Sequence, residues 1–240
     1  IRADVERRAD LVWSWWSPDR WFDASVIVCA LGFRRRAGNS ARSADDSDNE
    51  WPTWTDVILD ALDVPPLPTL STAGVVGDRG RCSADFRDLY YGLAPAVGDD
   101  HDGPPFVTTG VIDPLTCHWG ERSVRFAKRA LRAPRVDFAA LAPKWRRWAA
   151  AMSTSKVLVA NQSSVIECVA DVDGELLPGV PVITVVPAEP TADAALAIAA
   201  VLTSPIATIA AWTHAAGTGL SARALRLNPR LIAALPWPAG

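Results

Sequence analysis

The sequence has few of the residues that build metal and disulfide sites. Its 240 residues include four cysteines and three histidines, and no two cysteines form a CxxC pair. Because zinc is held by clustered Cys and His ligands, this spacing predicts no metal site. Isolated cysteines are typical of buried apolar positions in a reducing compartment, and we therefore expect a cytoplasmic protein.

Long apolar runs and a leader sequence are also lacking. No stretch reaches about 18 uninterrupted apolar residues, the length that a membrane-spanning helix needs. The first residues alternate between basic and acidic types, which does not resemble a signal peptide. The lack of such a run predicts no membrane partner. The sequence opens at Ile1 and its single methionine is Met152, so we expect a fragment of a longer protein.

Charge is segregated along the chain, although the net charge is only −3. Residues 41–63 hold seven acidic residues and one basic residue, whereas residues 118–148 hold nine basic residues and two acidic ones. A local cluster of positive charge attracts a phosphate backbone whatever the net charge of the chain, so the second segment predicts DNA binding. The candidate DNA-binding residues are Arg122, Arg125, Lys128, Arg129, Arg132, Arg135, Lys144, Arg146 and Arg147.

The N-terminal part predicts a helix followed by a strand within residues 23–33 that is apolar enough for burial on both faces. No partner strand is evident nearby in the sequence, which points to a larger sheet outside the chain. Residues 34–50 are polar and predict a loop. Short helices are predicted at residues 54–62 and, capped by Ser83, through Tyr91.

Strands and helices occupy separate stretches of the C-terminal part. Residues 106–112 predict a strand and residues 143–152 a helix, whereas residues 121–132 fit either a helix with four arginines on one face or a less regular strand. Residues 156–161, 165–172 and 182–186, with a turn at Asp173-Gly174, predict a β meander. Helices at 192–202 and from Pro205 to about 215 precede an extended segment at 225–237. The predicted fold class is α+β, with a mixed or antiparallel β meander and packed helices.

Tryptophan is abundant, with eleven residues. Trp145 and Trp148 lie three positions apart on a predicted helix, which favours a core-facing role with the intervening arginines directed outward. Trp13, Trp15, Trp16 and Trp21 cluster near the start of the chain. They fit either a core or an exposed apolar patch that contacts another domain.

The loops of common catalytic sites are absent from the sequence. Neither a G-x-S-x-G motif nor a Walker A motif occurs, and three scattered histidines give no triad by spacing. Methyl transfer to adenine N6 needs a Gly-rich cofactor loop after a strand and an Asn/Asp-Pro-Pro-aromatic loop. Asp113-Pro114-Leu115 lacks the second proline and the aromatic residue, and Gly217-Thr218-Gly219 follows a predicted helix. We therefore expect no catalytic residues in this chain.

An ordered set of motifs nevertheless resembles the C-terminal half of bacterial N6-adenine DNA methyltransferases of restriction–modification type. The set covers nearly the whole chain, and its order is more specific than any one motif. It consists of FDASVIVCA at 22–30, ADFRDLYYGL at 84–93, TTGVIDP at 108–114 with Trp119-Gly120 and Arg125-Phe126, KVLVA at 156–160 with DVDG at 171–174, LTSP at 202–205, GTGLS at 217–221 and LPWP at 235–238.

The resemblance implies a region that holds duplex DNA and recognises a short target while a catalytic domain takes the adenine out of the stack. It divides the chain into residues 1–37, a remnant of the catalytic-domain sheet, residues 38–50, a flexible loop, and residues 51–240, the target-recognition domain. It also adds Lys156 to the DNA-binding candidates, although Ser155 stands where the family commonly has proline. The implied partners are double-stranded DNA and the missing catalytic domain. S-adenosylmethionine is expected in the full-length enzyme, with no cofactor and no activity in this fragment.

Two other interpretations stay open. The chain could be a protein-interaction module that docks a methyltransferase or restriction subunit, with the basic segment facing an acidic partner. The acidic residues 41–63 could even cover the basic segment within one chain. A stand-alone enzyme of unknown chemistry is the third interpretation, and S-adenosylmethionine binding by the chain would favour it.

Overall fold

The computed structural model describes residues 2–17, 28–36, 53–85, 87–216, 218 and 224–239. Within these residues, seven helices and several small, mostly antiparallel sheets give a mixed α+β fold. The predicted fold class, α+β, is confirmed at this level. The elements are short apart from the two N-terminal strands and three helices, and long connections run between them.

The helices are α1 Arg2–Arg8, α2 Trp54–Ala61, α3 Arg87–Leu93, α4 Pro143–Met152, α5 Ala192–Leu202, α6 Pro205–Ala215 and α7 Pro229–Ala234. Short 3-10 helices lie at Val76–Asp78, Ala94–Ala96 and Thr109–Val111. The strands are β1 Ala9–Trp16, β2 Cys29–Arg35, β3 Thr72–Val75, β4 Gly80–Ala84, β5 Val97–Gly98, β6 Phe106–Val107, β7 Ile112–Asp113, β8 Thr116–Cys117, β9 Val124–Phe126, β10 Arg129–Leu131, β11 Arg135–Val136, β12 Lys156–Val159, β13 Gln162–Ser163, β14 Cys168–Asp171, β15 Leu177–Pro178, β16 Ile183–Pro187, β17 Leu225–Arg226 and β18 Pro236–Pro238.

A four-stranded antiparallel sheet, in the order β14-β12-β16-β4, forms the centre of the fold. A meander would place β14 between β12 and β16, but β12 pairs with both of them. The predicted hairpin at Asp173-Gly174 is therefore wrong. Gly174 has a φ of +72°, and the chain leaves the sheet there to form β15, which pairs in parallel with β6.

Both faces of the central sheet are covered. Along β12, Val157 and Val159 point into one apolar cluster, whereas Leu158 and Ala160 point into a second. This alternation follows from the two-residue period of a strand. The first cluster packs against α5, α6 and α7, and the second includes side chains from α3, α4 and the β9–β10 hairpin.

Helices α5 and α6 begin where the sequence places them. The hydroxyls of Thr191 and Ser204 accept hydrogen bonds from the backbone N–H groups of Ala194 and Ala207, and Pro205 occupies the first turn of α6. These caps satisfy N–H groups that a helix leaves without a partner. No single helix in the described residues is long and apolar enough to cross a membrane, and α5 and α6 pass that test only as a pair bent by 62°.

Three local predictions are corrected. Ser83 lies in β4 and caps no helix, because residues 80–84 complete the edge of the central sheet. The predicted strand at residues 106–112 is interrupted by the 3-10 helix at Thr109–Val111. The segment 225–237 is not extended throughout, because Asn228 caps helix α7 through the backbone N–H of Leu231.

The N-terminal strands form a two-stranded antiparallel ribbon. The strand predicted within residues 23–33 begins at Cys29 in the described part, and β1 is its partner. Its residues are exposed or half-buried, so the prediction of a strand buried on both faces without a nearby partner is wrong. Phe33 packs against Trp54 at 5.7 Å between ring centroids, which ties the ribbon to α2. The loop predicted at residues 34–50 begins later, because residues 34 and 35 belong to β2. Residues 18–27 and 37–52, which include the rest of that loop, lie outside the described residues.

Candidate nucleic-acid interface

The basic segment contributes two elements that both pack on helix α3. Phe126 of β9 lies edge-on to Tyr90 of α3 at 5.0 Å. Trp145 of α4 approaches α3 so closely that a Cβ atom built on Gly92 would lie 2.0 Å from Nε1 of the indole. The β9–β10 hairpin and α4 therefore flank one short helix.

Residues 121–132 form a hairpin and not a helix. Ala127 and Lys128, the two residues of its turn, have φ values of +49° and +62°. Two consecutive left-handed residues give the type I′ geometry that matches the twist of a two-residue hairpin. Val124 and Phe126 are buried, whereas Arg125 between them is exposed and lies opposite Ala130.

Arg129 anchors the inner face of the hairpin. It lies opposite the buried Phe126, so its side chain points toward the core side of the ribbon. Its Nη2 donates to the carbonyl oxygens of Ala94 and Val97 at 3.1 and 2.5 Å. Carbonyls at the end of a helix otherwise lack partners, and a charged donor binds them strongly.

The end of the hairpin is held by Asp99. Its carboxylate accepts hydrogen bonds from the backbone N–H groups of Arg132 and Ala133 at 3.0–3.1 Å. The side chain of Arg132 is exposed. Asp99 thus fixes the backbone at this end, although no sequence motif marks it.

Arg122 is neutralised by an ion pair. Its guanidinium binds both carboxylate oxygens of Asp113, at 2.7 and 2.6 Å. This contact holds the pKa of Asp113 below its ordinary value. His118 bridges the same carboxylate, at 3.1 Å, and Glu121, at 2.7 Å. Acidic groups therefore surround Arg122, and it adds little to a positive surface.

Other cations of the segment are engaged by neutral groups. Arg135 donates to the carbonyl oxygen of Gly103 at 2.8 Å and stacks 4.7 Å from the centre of the Trp119 ring. Arg146 donates to the carbonyl oxygen of Leu141 at 3.1 Å. These contacts keep the positive charge but fix the direction of each guanidinium.

On α4, the indole N–H of Trp148 donates to Asp85 at 2.7 Å, and the Trp145 ring lies against Gly92. The predicted inward role of the two tryptophans is confirmed. Arg147 is exposed. Lys144 is also exposed and lies 4.2 Å above the Trp145 ring, so its charge is retained at the surface.

Lys156 does not belong to this surface. Its side chain is 0% exposed, forms an ion pair with Asp171 and donates to the carbonyl oxygen of Thr154 at 3.3 Å. Burial lowers its pKa, while the hydrogen bond that its ammonium group donates to Asp171 acts in the opposite direction. The prediction that Lys156 contacts DNA is therefore not met, because a phosphate cannot reach the ammonium group without unpacking the sheet.

Four of the ten candidate residues combine exposure with a side chain that makes no hydrogen bond, ion pair or ring contact within the described part of the chain: Arg125, Lys128, Arg132 and Arg147. Tyr91 of α3 is 61% exposed and is the edge-on partner of Tyr90. The exposed Asp100 and Asp102 lie in the loop after β5, so negative charge borders the surface on that side.

Two further surface features lie elsewhere. Trp13 and Trp15 are 55% and 37% exposed and lie opposite Gly32 and Ala30 on one face of the β1–β2 ribbon. A groove of about 350 Å³ runs between α5, α6 and the β3–β18 ribbon. Its lining, which includes Thr72, Val201 and Ile206, carries no titratable side chain.

The described residues contain no group of three or more His, Cys, Asp or Glu side chains that could hold a metal ion.

Comparison with protein-family models and with curated proteins gives no match for this chain.

Proposed function

We propose that the chain is the DNA-binding target-recognition region of an N6-adenine DNA methyltransferase of restriction–modification type. In this proposal it holds duplex DNA in the cytoplasm, while a catalytic domain binds S-adenosylmethionine and transfers the methyl group. The observation that carries the proposal is the set of outward cations on the β9–β10 hairpin and α4, two elements packed on α3. The ordered motifs of the sequence supply the methyltransferase context.

The number of exposed cations gives the salt dependence that the proposed DNA binding should have. Arg125, Lys128, Arg132 and Arg147 have exposed side chains that need not break an internal contact to reach a phosphate. Each phosphate neutralised releases counterions, which lowers the slope of log affinity against log salt by about 0.9. Four contacts predict an affinity loss of about 100-fold between roughly 50 and 200 mM salt.

The test is fluorescence anisotropy of a labelled random-sequence duplex titrated with the protein at the two salt concentrations. Arg125→Gln combined with Arg147→Gln should weaken binding at low salt and make the salt slope shallower by about two. Arg230→Gln is the matched control, because Arg230 is exposed on α7, which packs on the other apolar cluster. Binding that ignores salt, or that the double substitution leaves unchanged, would contradict the proposal.

A second candidate function is a protein-interaction module that docks a methyltransferase or restriction subunit. The exposed Trp13 and Trp15 favour it, because two large apolar side chains on one ribbon face are typical of a protein contact. The titration separates the two functions. No DNA binding at low salt, together with co-purification of an acidic subunit that is lost in Trp13→Ser, would favour the module.

A further inference from the structure

We infer that the β9–β10 hairpin lies in the major groove of the DNA and that Arg125 determines sequence specificity there. This inference rests on the DNA-binding function proposed above. It assigns the hairpin to base recognition and leaves Arg147 of α4 to the phosphate backbone. The role of each side chain follows from the face of the ribbon that it occupies.

The outer face of the hairpin has the shape and charge of a groove-binding ribbon. Arg125 lies directly opposite Ala130, and both residues are exposed. The methyl group of Ala130 is too small to cover the guanidinium. Arg132 follows one position beyond the buried Leu131, just after the end of β10, and is also exposed. The major groove, about 12 Å wide, admits a two-stranded ribbon.

The inner face makes the ribbon rigid before DNA arrives. Val124, Phe126 and Leu131 are buried, and the Phe126 ring packs 4.7 Å from that of Phe106. Arg129 binds two backbone carbonyl oxygens, and Asp99 holds the backbone after β10. A recognition element that is already ordered loses little conformational entropy on binding, and it holds its side chains in one register.

The chemistry of the exposed cations separates recognition from attraction. The planar guanidinium of Arg125 can donate two parallel hydrogen bonds to O6 and N7 of guanine, which no other base pair accepts in the same way. Lys128, at the turn, carries a point charge without this fork. Arg147 lies on a helix whose inner face is occupied by Trp148, so it presents one guanidinium outward without a paired strand to define its register. Guanine recognition is therefore expected of Arg125, and phosphate attraction of Lys128 and Arg147.

The experiment is selection of duplexes from a random library, followed by sequencing, with the wild-type protein, Arg125→Lys and Arg147→Gln. Arg125→Lys keeps the charge but removes the fork, so affinity for random DNA should stay within about threefold. The wild type should enrich a motif that contains guanine. Arg125→Lys should reduce discrimination at that guanine by about tenfold or more, whereas Arg147→Gln should retain the motif with weaker binding overall. Thermal unfolding of each variant establishes that it folds.

Each other outcome overturns a defined part of the argument. An identical motif with Arg125→Lys would overturn base recognition by Arg125 while leaving DNA binding in place. Salt-dependent binding of the wild type without any enriched motif would do the same. Failure of the wild-type protein to bind duplex DNA at low salt would overturn both this inference and the proposed function.

Discussion

The ion pair between Lys156 and Asp171 is the interaction whose loss has the most predictable cost. Their side chains are 0% and 4% exposed. Asp171 also accepts hydrogen bonds from the backbone N–H groups of Glu175 and Leu176, both at 3.0 Å. Its carboxylate therefore holds the end of β14, the following turn and a strand at the centre of the sheet.

The substitution Lys156→Met removes the ammonium group and keeps most of the side-chain volume. It leaves the carboxylate of Asp171 buried with only two neutral donors. Removing one partner of a buried pair costs about 3–5 kcal/mol, because the other charge stays desolvated. For a chain of this length, each kcal/mol lowers the midpoint of thermal unfolding by about 2–4 °C, so a loss of about 10 °C is expected.

Unfolding in urea followed by tryptophan fluorescence measures the loss directly. Lys144→Met is the matched control, because Lys144 is exposed and makes no hydrogen bond or ion pair within the described residues. Its contact with the face of the Trp145 ring is worth about 0.5–1 kcal/mol. A loss below about 1 kcal/mol for Lys156→Met would refute the reasoning. It would mean that water reaches the carboxylate or that the pair is neutral when folded.

A second substitution separates charge from packing. In Lys156→Met combined with Asp171→Asn, no buried charge is left, and the amide oxygen can still accept one of the two backbone N–H groups. The second N–H is orphaned, which costs about 1–3 kcal/mol. The double variant should therefore be more stable than Lys156→Met alone, and the reverse order would show that the carboxylate is stabilised by its backbone donors without help from the lysine.

Two further predictions concern packing and thiol chemistry. Gly92→Ala should cost about 1–3 kcal/mol, because a Cβ atom there would lie 2.0 Å from Trp145, whereas Gly110→Ala, with nothing within 4 Å, should be nearly neutral in the same urea titration. Burial raises the pKa of Cys168 to about 12 from its ordinary value of 9.0, so a thiol reagent at about pH 8 should modify the exposed Cys29 and spare Cys168 until the protein unfolds. Cys168 loses its proton at a lower pH in the unfolded protein than in the folded protein. The free energy of unfolding should therefore fall as the pH rises from about 9 to 12. Equal modification of both thiols in the folded protein would contradict this assignment.

Helices α4, α5 and α6 were predictable because their signals are local. Helix α4 spans Pro143–Met152 as predicted, and Thr191 and Pro205 mark the starts of α5 and α6. Proline in the first turn and a hydroxyl at the cap act within one turn of the helix, so distant contacts do not alter them. The inward role of Trp145 and Trp148 followed from their spacing of three residues, which places both on one face of a helix.

Strand pairing was not predictable in the same way, because a strand pattern does not name its neighbour. The meander was wrong since β4, more than 70 residues before β12 in the sequence, takes the place beside β16. The hairpin at residues 124–131 was ambiguous because Ala127 and Lys128 carry no turn signature. Their left-handed backbone is imposed by burial of the flanking strands, which is a tertiary effect.

The candidate site was predictable as a set of residue types but not as a surface. Sequence marks nine cations between residues 118 and 148 without showing which ones are engaged. Arg129 is held by carbonyls 32 and 35 positions away, and Lys156 is held by an aspartate 15 positions away. Such partners meet only in the folded chain, so long-range contacts decide which cations are directed outward.

Within the hairpin, the two-residue turn sets the strand register, and the register decides that Arg129 is held while Arg125 points outward. Because Phe126 lies opposite Arg129 and Arg125 opposite Ala130, the buried and exposed positions of the two strands coincide. Moving the pairing by one residue would turn Arg125 inward and Phe126 outward, since successive side chains point to opposite faces. The aromatic contact of Phe126 with Phe106 and the carbonyl contacts of Arg129 oppose that shift from the two strands independently. The exposure of Arg125 is therefore a consequence of what holds the opposite face.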